Sequence, residues 1–252
     1  MSKNFNGTTS SIGLLLGSSE TFPNGPTATP MSLLAWISPV NLGEGSSGRI
    51  IGRGLAVGGI GGHWFLGLRA PSTFWGTVDY IAANVITIAT IGTIDTNGTW
   101  QHIAMTWSGS SNATGMKLYK NAVEVAYGQQ TTGGGSYVVN TVNAVVIGNV
   151  GNASSTFNGQ ISHVHIYRME LTSNQIRQLM SHPASVLAQG SVTSVGTSGL
   201  VGYWPLATAS SNAYDLSGNM HMGTSTTIVS GSTEAQVNET FIVSYPCGAM
   251  AM

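Results

Sequence analysis

In two runs between Gln101 and Tyr127 apolar side chains recur at every second position, a period that a strand buries on one face and a helix does not. Ile103, Met105 and Trp107 interleave with His102, Ala104 and Thr106, and Leu118 leads through Lys120, Asn121 and Ala122 into Val123, Val125 and Tyr127. The polar break between the runs predicts a hairpin. Glycine reaches positive φ without strain, and Ala122 stands where it commonly closes such a turn, so the hairpin is expected while its turn type stays open.

The same period recurs in Leu33–Ile37, Trp64–Leu68, Val85–Ile91, Val142–Ile147 and Ile161–Tyr167. One helix is expected, over residues 172–182. Thr172 can cap it, Gln175 completes a capping box, Ile176, Leu179 and Met180 form its apolar stripe, and Pro183 stops it. Many short strands separated by Gly, Ser, Asn and Thr clusters, with a single helix, predict an all-β sandwich.

Two stretches carry a more specific message: WQHIAMTWSGSSNATGMKLYKNAVEVAYG from Trp100, and FNGQISHVHIYRMELTSNQIRQL from Phe157. They resemble the strand, loop and hairpin, and then the strand and short helix, of laminin-G-like domains of the concanavalin-A-like jelly-roll type. The resemblance covers most of residues 4–224 and implies a jelly-roll β-sandwich. In many members a segment of the kind seen in GLVGYWPLATASSNAYDLSGNMHMGT comes before the early strands, whereas here it begins at Gly199 and follows them. The chain therefore reads as a rearranged sandwich over residues 1–229, with 199–229 as closing strands or a small β-appendage, and 230–252 as a C-terminal tail or arm. This arrangement and the Tyr-Pro-Cys-Gly of the tail resemble structural proteins of tailed bacteriophages.

Composition narrows the partners. Only 7% of the residues are charged, against roughly 25% in an ordinary soluble domain, and the net charge is −1. Nothing steers such a chain to nucleic acid or an anionic membrane, and its weak colloidal protection suits a surface covered in an assembly. Ile12 to Leu16 is too brief, with Gly13 inside it, for a signal peptide, and Tyr80 to Ile94 is too short and β-branched to cross a bilayer as a helix. A lone cysteine, Cys247, excludes an internal disulfide framework. The resulting expectation is a non-enzymatic virion structural protein, a bacteriophage capsid decoration protein made in the host cytoplasm. Its partners would be the major capsid protein or another virion protein and sister copies in a homo-oligomer. The alternative is a glycan-binding lectin or adhesin module that recognises cell-surface glycans.

Catalytic and metal signals are weak. Laminarinase-like members of the fold place paired carboxylates on one strand, yet here no two acids lie closer than five residues apart. TIDTNGTW from Thr93 resembles a sialidase Asp-box with its glycine one place late, and Asp95, Asn97 and Gly98 read equally as turn residues. His163 and His165 share one strand face and could ligate a metal, although a solvated face is the plainer expectation. Calcium is the cofactor the family resemblance makes most natural, but three scattered Asp form no cluster, so no cofactor is expected. Trp36, Trp100, Trp107 and Trp204 fall in strand motifs and are assigned to the core. Trp64, Trp75 and Tyr80 are the candidate glycan or partner contacts, with core burial as the plainer reading. Phe241, Ile242, Val243 and Tyr245 form a candidate assembly arm able to add an edge strand to a neighbour.

Overall fold

The structure, a computed structural model, describes residues 2–16, 28–54, 62–139, 144–150, 154–184, 197–207 and 212–230. In chain order the elements are β1 (Lys3–Asn6), β2 (Ser11–Leu14), β3 (Met31–Pro39), β4 (Arg49–Arg53), β5 (Trp64–Arg69), β6 (Thr73–Val78), β7 (Val85–Ala89), β8 (Gln101–Trp107), β9 (Met116–Lys120), β10 (Val123–Glu124), β11 (Tyr127–Thr131), β12 (Val145–Ile147) and β13 (Asn158–Tyr167). Helix α1 (Ser173–Ser181) follows, then β14 (Leu200–Trp204), β15 (Asn212–Ala213), β16 (Gly223–Thr226) and β17 (Val229–Ser230).

They build two antiparallel sheets. The first runs β10-β9-β8-β3-β13-β1-β17, with β14 also paired to β13, and the second runs β11-β7-β6-β5-β4-β12-β2-β16-β15. Alternation along each strand sends Leu33, Ile103, Met105, Trp107 and Trp204 from the first sheet against Ile51, Trp64, Leu66, Phe74 and Val85 from the second. Residues 199–229 contribute to both sheets: β14 pairs with β13, and β16 pairs with β2. The arm residues Phe241, Ile242, Val243 and Tyr245 lie outside the described residues.

Strand β13 is where three partners meet. Its first half pairs with β1 and its second half with β14 on the same edge, while β3 occupies the other edge throughout. A bulge makes this possible. Against β3 the register steps from Ser162↔Trp36 to His165↔Leu34, leaving one extra residue in β13, and His163 adopts φ 47°. Because side chains alternate with period two, the extra residue re-phases the strand so that Ile161, Val164 and Ile166 all face the core. The carbonyl of Pro205, just past β14, accepts from the His163 backbone N–H (3.2 Å) and the Ser162 hydroxyl (3.0 Å), which anchors the bulge.

The outer face of the first sheet is covered as well. Thr172 caps α1 with the full capping box to Gln175, and Ile176 and Leu179 pack onto Leu34, Ala104, Tyr119, Tyr167 and Tyr203. Trp36 sits in this layer, donating its indole N–H to the Met180 carbonyl at 3.2 Å, while Trp100 is only half-buried. Trp100 alone departs from the core assignment, which suits Trp36, Trp107 and Trp204.

The β9–β10 hairpin closes in two residues, Asn121 (φ 50°) and Ala122 (φ 61°), with Lys120 opposite Val123. Both central residues have positive φ, as a mirror-type turn requires, despite alanine in the glycine place. Two contacts hold it there. The Asn121 side-chain oxygen accepts from the His102 N–H at 2.9 Å, and Ala122 is buried in the helix-facing layer. Alanine in this region costs about 1–2 kcal/mol, which the buried methyl partly offsets.

Gly148 supplies a sharper constraint. Its φ is +79°, and a Cβ there would overlap the buried Phe5 ring. Gly148→Ala is predicted to lower unfolding free energy by about 2–4 kcal/mol, combining left-handed strain with overpacking. Gly92→Ala, at a similar φ with open space around it, is predicted to cost only about 1 kcal/mol. Equal urea midpoints for the two variants would contradict this packing.

Candidate functional site

None of the three rings offered as glycan or partner contacts is an open platform. Trp64 (1% exposed) faces the core between the sheets, and Tyr80 (7%) packs edge-on to Tyr137 with ring centroids 5.9 Å apart. Trp75 (8%) lies on the outward face of the second sheet, its indole N–H donating to the Leu68 carbonyl at 3.2 Å and its ring edge-on to Phe65 at 4.6 Å. The physical reason is register: cross-strand neighbours fill the space beside each ring.

That outward face also gathers charge. Arg49 stands opposite Gly67, which stands opposite Trp75, so the three form one row across β4, β5 and β6. With no side chain at Gly67, Arg49 lies across it, placing its guanidinium 3.6 Å from the Phe65 ring centroid and 4.9 Å from that of Trp75. Arg69, exposed at the end of β5, brings a second guanidinium to 5.1 Å from Trp75. On the far side of Phe65, His63 stacks at 5.8 Å and its Nδ1 meets the Asp79 carboxylate at 2.6 Å.

An open groove of about 540 Å³ lies on the other side of the sandwich, between the β9–β10 hairpin and the start of α1. Tyr119, Ala122 and Leu171 form its apolar part, and Lys117, Glu124, Glu170, Thr172, Ser173 and Arg177 bring donors and acceptors of both signs. Burial, together with the charges of Glu124 and Glu170, raises the Tyr119 phenol above its ordinary pKa. Sequence reading missed this groove because its walls come from segments about fifty residues apart.

The paired histidines do share a face, but it is not a solvated one. His163 Nδ1 meets the Tyr203 hydroxyl at 2.9 Å, His165 Nε2 meets the Pro183 carbonyl at 2.9 Å, and His165 stacks on Tyr203 at 4.3 Å. The correction has a simple cause: β14 and the segment after α1 close over that part of the first sheet. Burial, then the other imidazoles, lowers His102 to about 3, and burial first of all lowers His163 to about 3 and His165 to about 4. All three are neutral at pH 7.

Several carboxylates hold structural partners. Asp79 pairs with His63, Asp95 with Lys120 at 3.0 Å, and Glu44 accepts from the Thr156 N–H and hydroxyl. Asp215 accepts from the backbone N–H groups of Tyr203, Ser217 and His221, and Glu124 accepts from the Tyr127 hydroxyl at 2.7 Å. Among the described residues no three His, Cys, Asp or Glu side chains converge as metal ligands. No helix among them is long and apolar enough to cross a membrane.

Two packed antiparallel sheets with one short helix define a lectin-type jelly roll. Residues 14–177 match the Laminin_G_3 profile, described as the concanavalin A-like lectin/glucanases superfamily, and the chain belongs to that family. No curated protein matches it in sequence. Among solved structures, a protein assigned to carbohydrate binding from Bacteroides ovatus ATCC 8483 aligns with a TM-score of 0.58 at 18% identity, over 94% of this chain and 61% of that one. This chain thus spans less than two thirds of that protein. The CBM40 of Ruminococcus gnavus IT-sialidase, also solved with α2,3-sialyllactose bound, gives 0.51 at 13% identity over 71% of this chain and 97% of that one. At such identities the likeness is one of fold. A virion does not figure in these likenesses.

The histidine layer sets a pH response. Each folded pKa lies below the unfolded value near 6.5, so the unfolded chain takes up protons first as pH falls. Stability is therefore full above about pH 6.5 and is lost as pH falls toward 4, by on the order of 1 kcal/mol per pH unit for each histidine. Urea titrations from pH 7.5 to 4.5 should show this decline, and His102→Gln should flatten it. A midpoint independent of pH over that range would contradict a neutral, buried cluster.

Proposed function

We propose that this chain is a non-catalytic carbohydrate-binding domain. The observation that carries the reading is the open groove beside α1. A sugar presents hydroxyls that both donate and accept, and an apolar C–H face. The groove meets them with cationic donors in Lys117 and Arg177, acceptors in Glu124 and Glu170, hydroxyls in Thr172 and Ser173, and apolar surface chiefly from the exposed Val123 over a floor of Tyr119, Ala122 and Leu171. The carbohydrate-related descriptions of the Bacteroides and Ruminococcus structures support the same reading. Structural roles for five carboxylates favour binding over hydrolysis. Sugar recognition replaces capsid decoration as the preferred function because the groove has chemistry suited to it, while no feature of the fold selects a capsid subunit as partner.

A glycan microarray probed with the full chain tests this. Retention of a defined glycan set is expected, with no reducing sugar released from the same glycans on prolonged incubation. The double variant Glu170→Ala/Arg177→Ala should weaken groove-bound glycans at least about tenfold, the size expected for losing charged hydrogen bonds, with little change in thermal midpoint. Failure to retain any glycan would overturn the proposal, and sugar release would return the chain to the hydrolases.

A further inference from the structure

The geometry points to a second binding site, on the outward face of the second sheet, where Arg49 and Arg69 converge on Trp75 to take the carboxylate of an acidic sugar. Arg49 is 1% exposed, yet among the described residues its guanidinium donates only from Nη1, to the Ser47 hydroxyl (3.1 Å) and carbonyl (3.5 Å). Its Nε is buried without a partner, and no described carboxylate pairs with it. A buried charge is ordinarily paired, because desolvation is costly without compensation.

The neighbour makes the imbalance worse. Arg69 brings a like charge to the same indole, 5.1 Å from its centroid against 4.9 Å for Arg49. Burial and then the charge of Arg69 lower the Arg49 pKa to about 10, which still leaves its guanidinium protonated at pH 7. Two cations sharing one ring repel each other, and an oxyanion bridging them turns that repulsion into two attractions. A carboxylate matches the planar guanidinium fork in two parallel hydrogen bonds. Gly67 keeps the row open: a Cβ there would sit 3.2 Å from Arg49 Cδ and 3.3 Å from Nη1. Access is through Arg69, the exposed member, while Arg49 is held against the rings of Phe65 and Trp75.

That the oxyanion belongs to a sugar rests on the carbohydrate-binding proposal, and the test separates the two. Calorimetric titration of the full chain with α2,3-sialyllactose and with lactose compares one acidic sugar with its neutral core. The acidic sugar should bind at least about tenfold more tightly, as a charge-assisted pair would give. Arg69→Gln and Arg49→Met should each abolish that preference. Arg49→Met should also leave the thermal midpoint unchanged or raised, because replacing an unpaired buried charge with an apolar side chain removes a desolvation cost. A preference that survives in both variants, or lactose bound as tightly as sialyllactose, overturns the acidic-sugar site alone. No binding of either sugar, together with an empty glycan array, overturns the carbohydrate reading as well.

Discussion

One extra residue in β13 governs how the sandwich is assembled. Without the bulge at His163, the strand would present Ile161 to the core and then turn Val164 and Ile166 outward, because alternation has period two. With it, those apolar residues stay inward, and β1 and β14 can share one edge of the strand. The same re-phasing sends His163 and His165 outward onto Tyr203. The segment from Gly199 is tied in at this point too, through the Pro205 carbonyl. Fold closure, segment order and the neutral histidine layer thus follow from one local irregularity.

Much of this was legible in the sequence wherever the deciding interactions are local. The capping box of Thr172 and Gln175 and the alternating runs around Ile103 and Leu118 each depend on neighbours a few residues away, and the structure has them as read. Other features depend on which strands become neighbours. His163 and His165 look like a solvated pair until β14 and the end of α1 cover them. The Asn121-Ala122 turn gives no local sign that His102, nineteen residues before Asn121, will hold it. The row Arg49, Gly67 and Trp75 exists only through the register of three strands. An arginine opening a strand offers no reason to expect burial until the pairing sets Gly67 opposite it.

The two faces of the sandwich divide the chemistry. On one side the helix covers the first sheet and leaves a groove with donors, acceptors and apolar surface within reach of one ligand. On the other, aromatic rings hold a buried guanidinium that no described carboxylate pairs with. The low total charge makes this second feature stand out. Where only 7% of residues are charged, two arginines on one indole are not background electrostatics. The jelly roll supplies rigidity for both faces, and side-chain placement on it, not the fold, carries the functional argument.

The most direct measurement is a crystal structure of the full chain grown with α2,3-sialyllactose. The account predicts a sugar ordered on the protein, with its carboxylate beside Trp75, bridging Arg49 and Arg69 at hydrogen-bonding distance. A sugar held in the groove beside Tyr119 with the arginine pair vacant would remove the acidic-sugar site and keep the carbohydrate-binding role. Full occupancy of solvent at both faces, at ligand concentrations that saturate a lectin, would contradict the central claim.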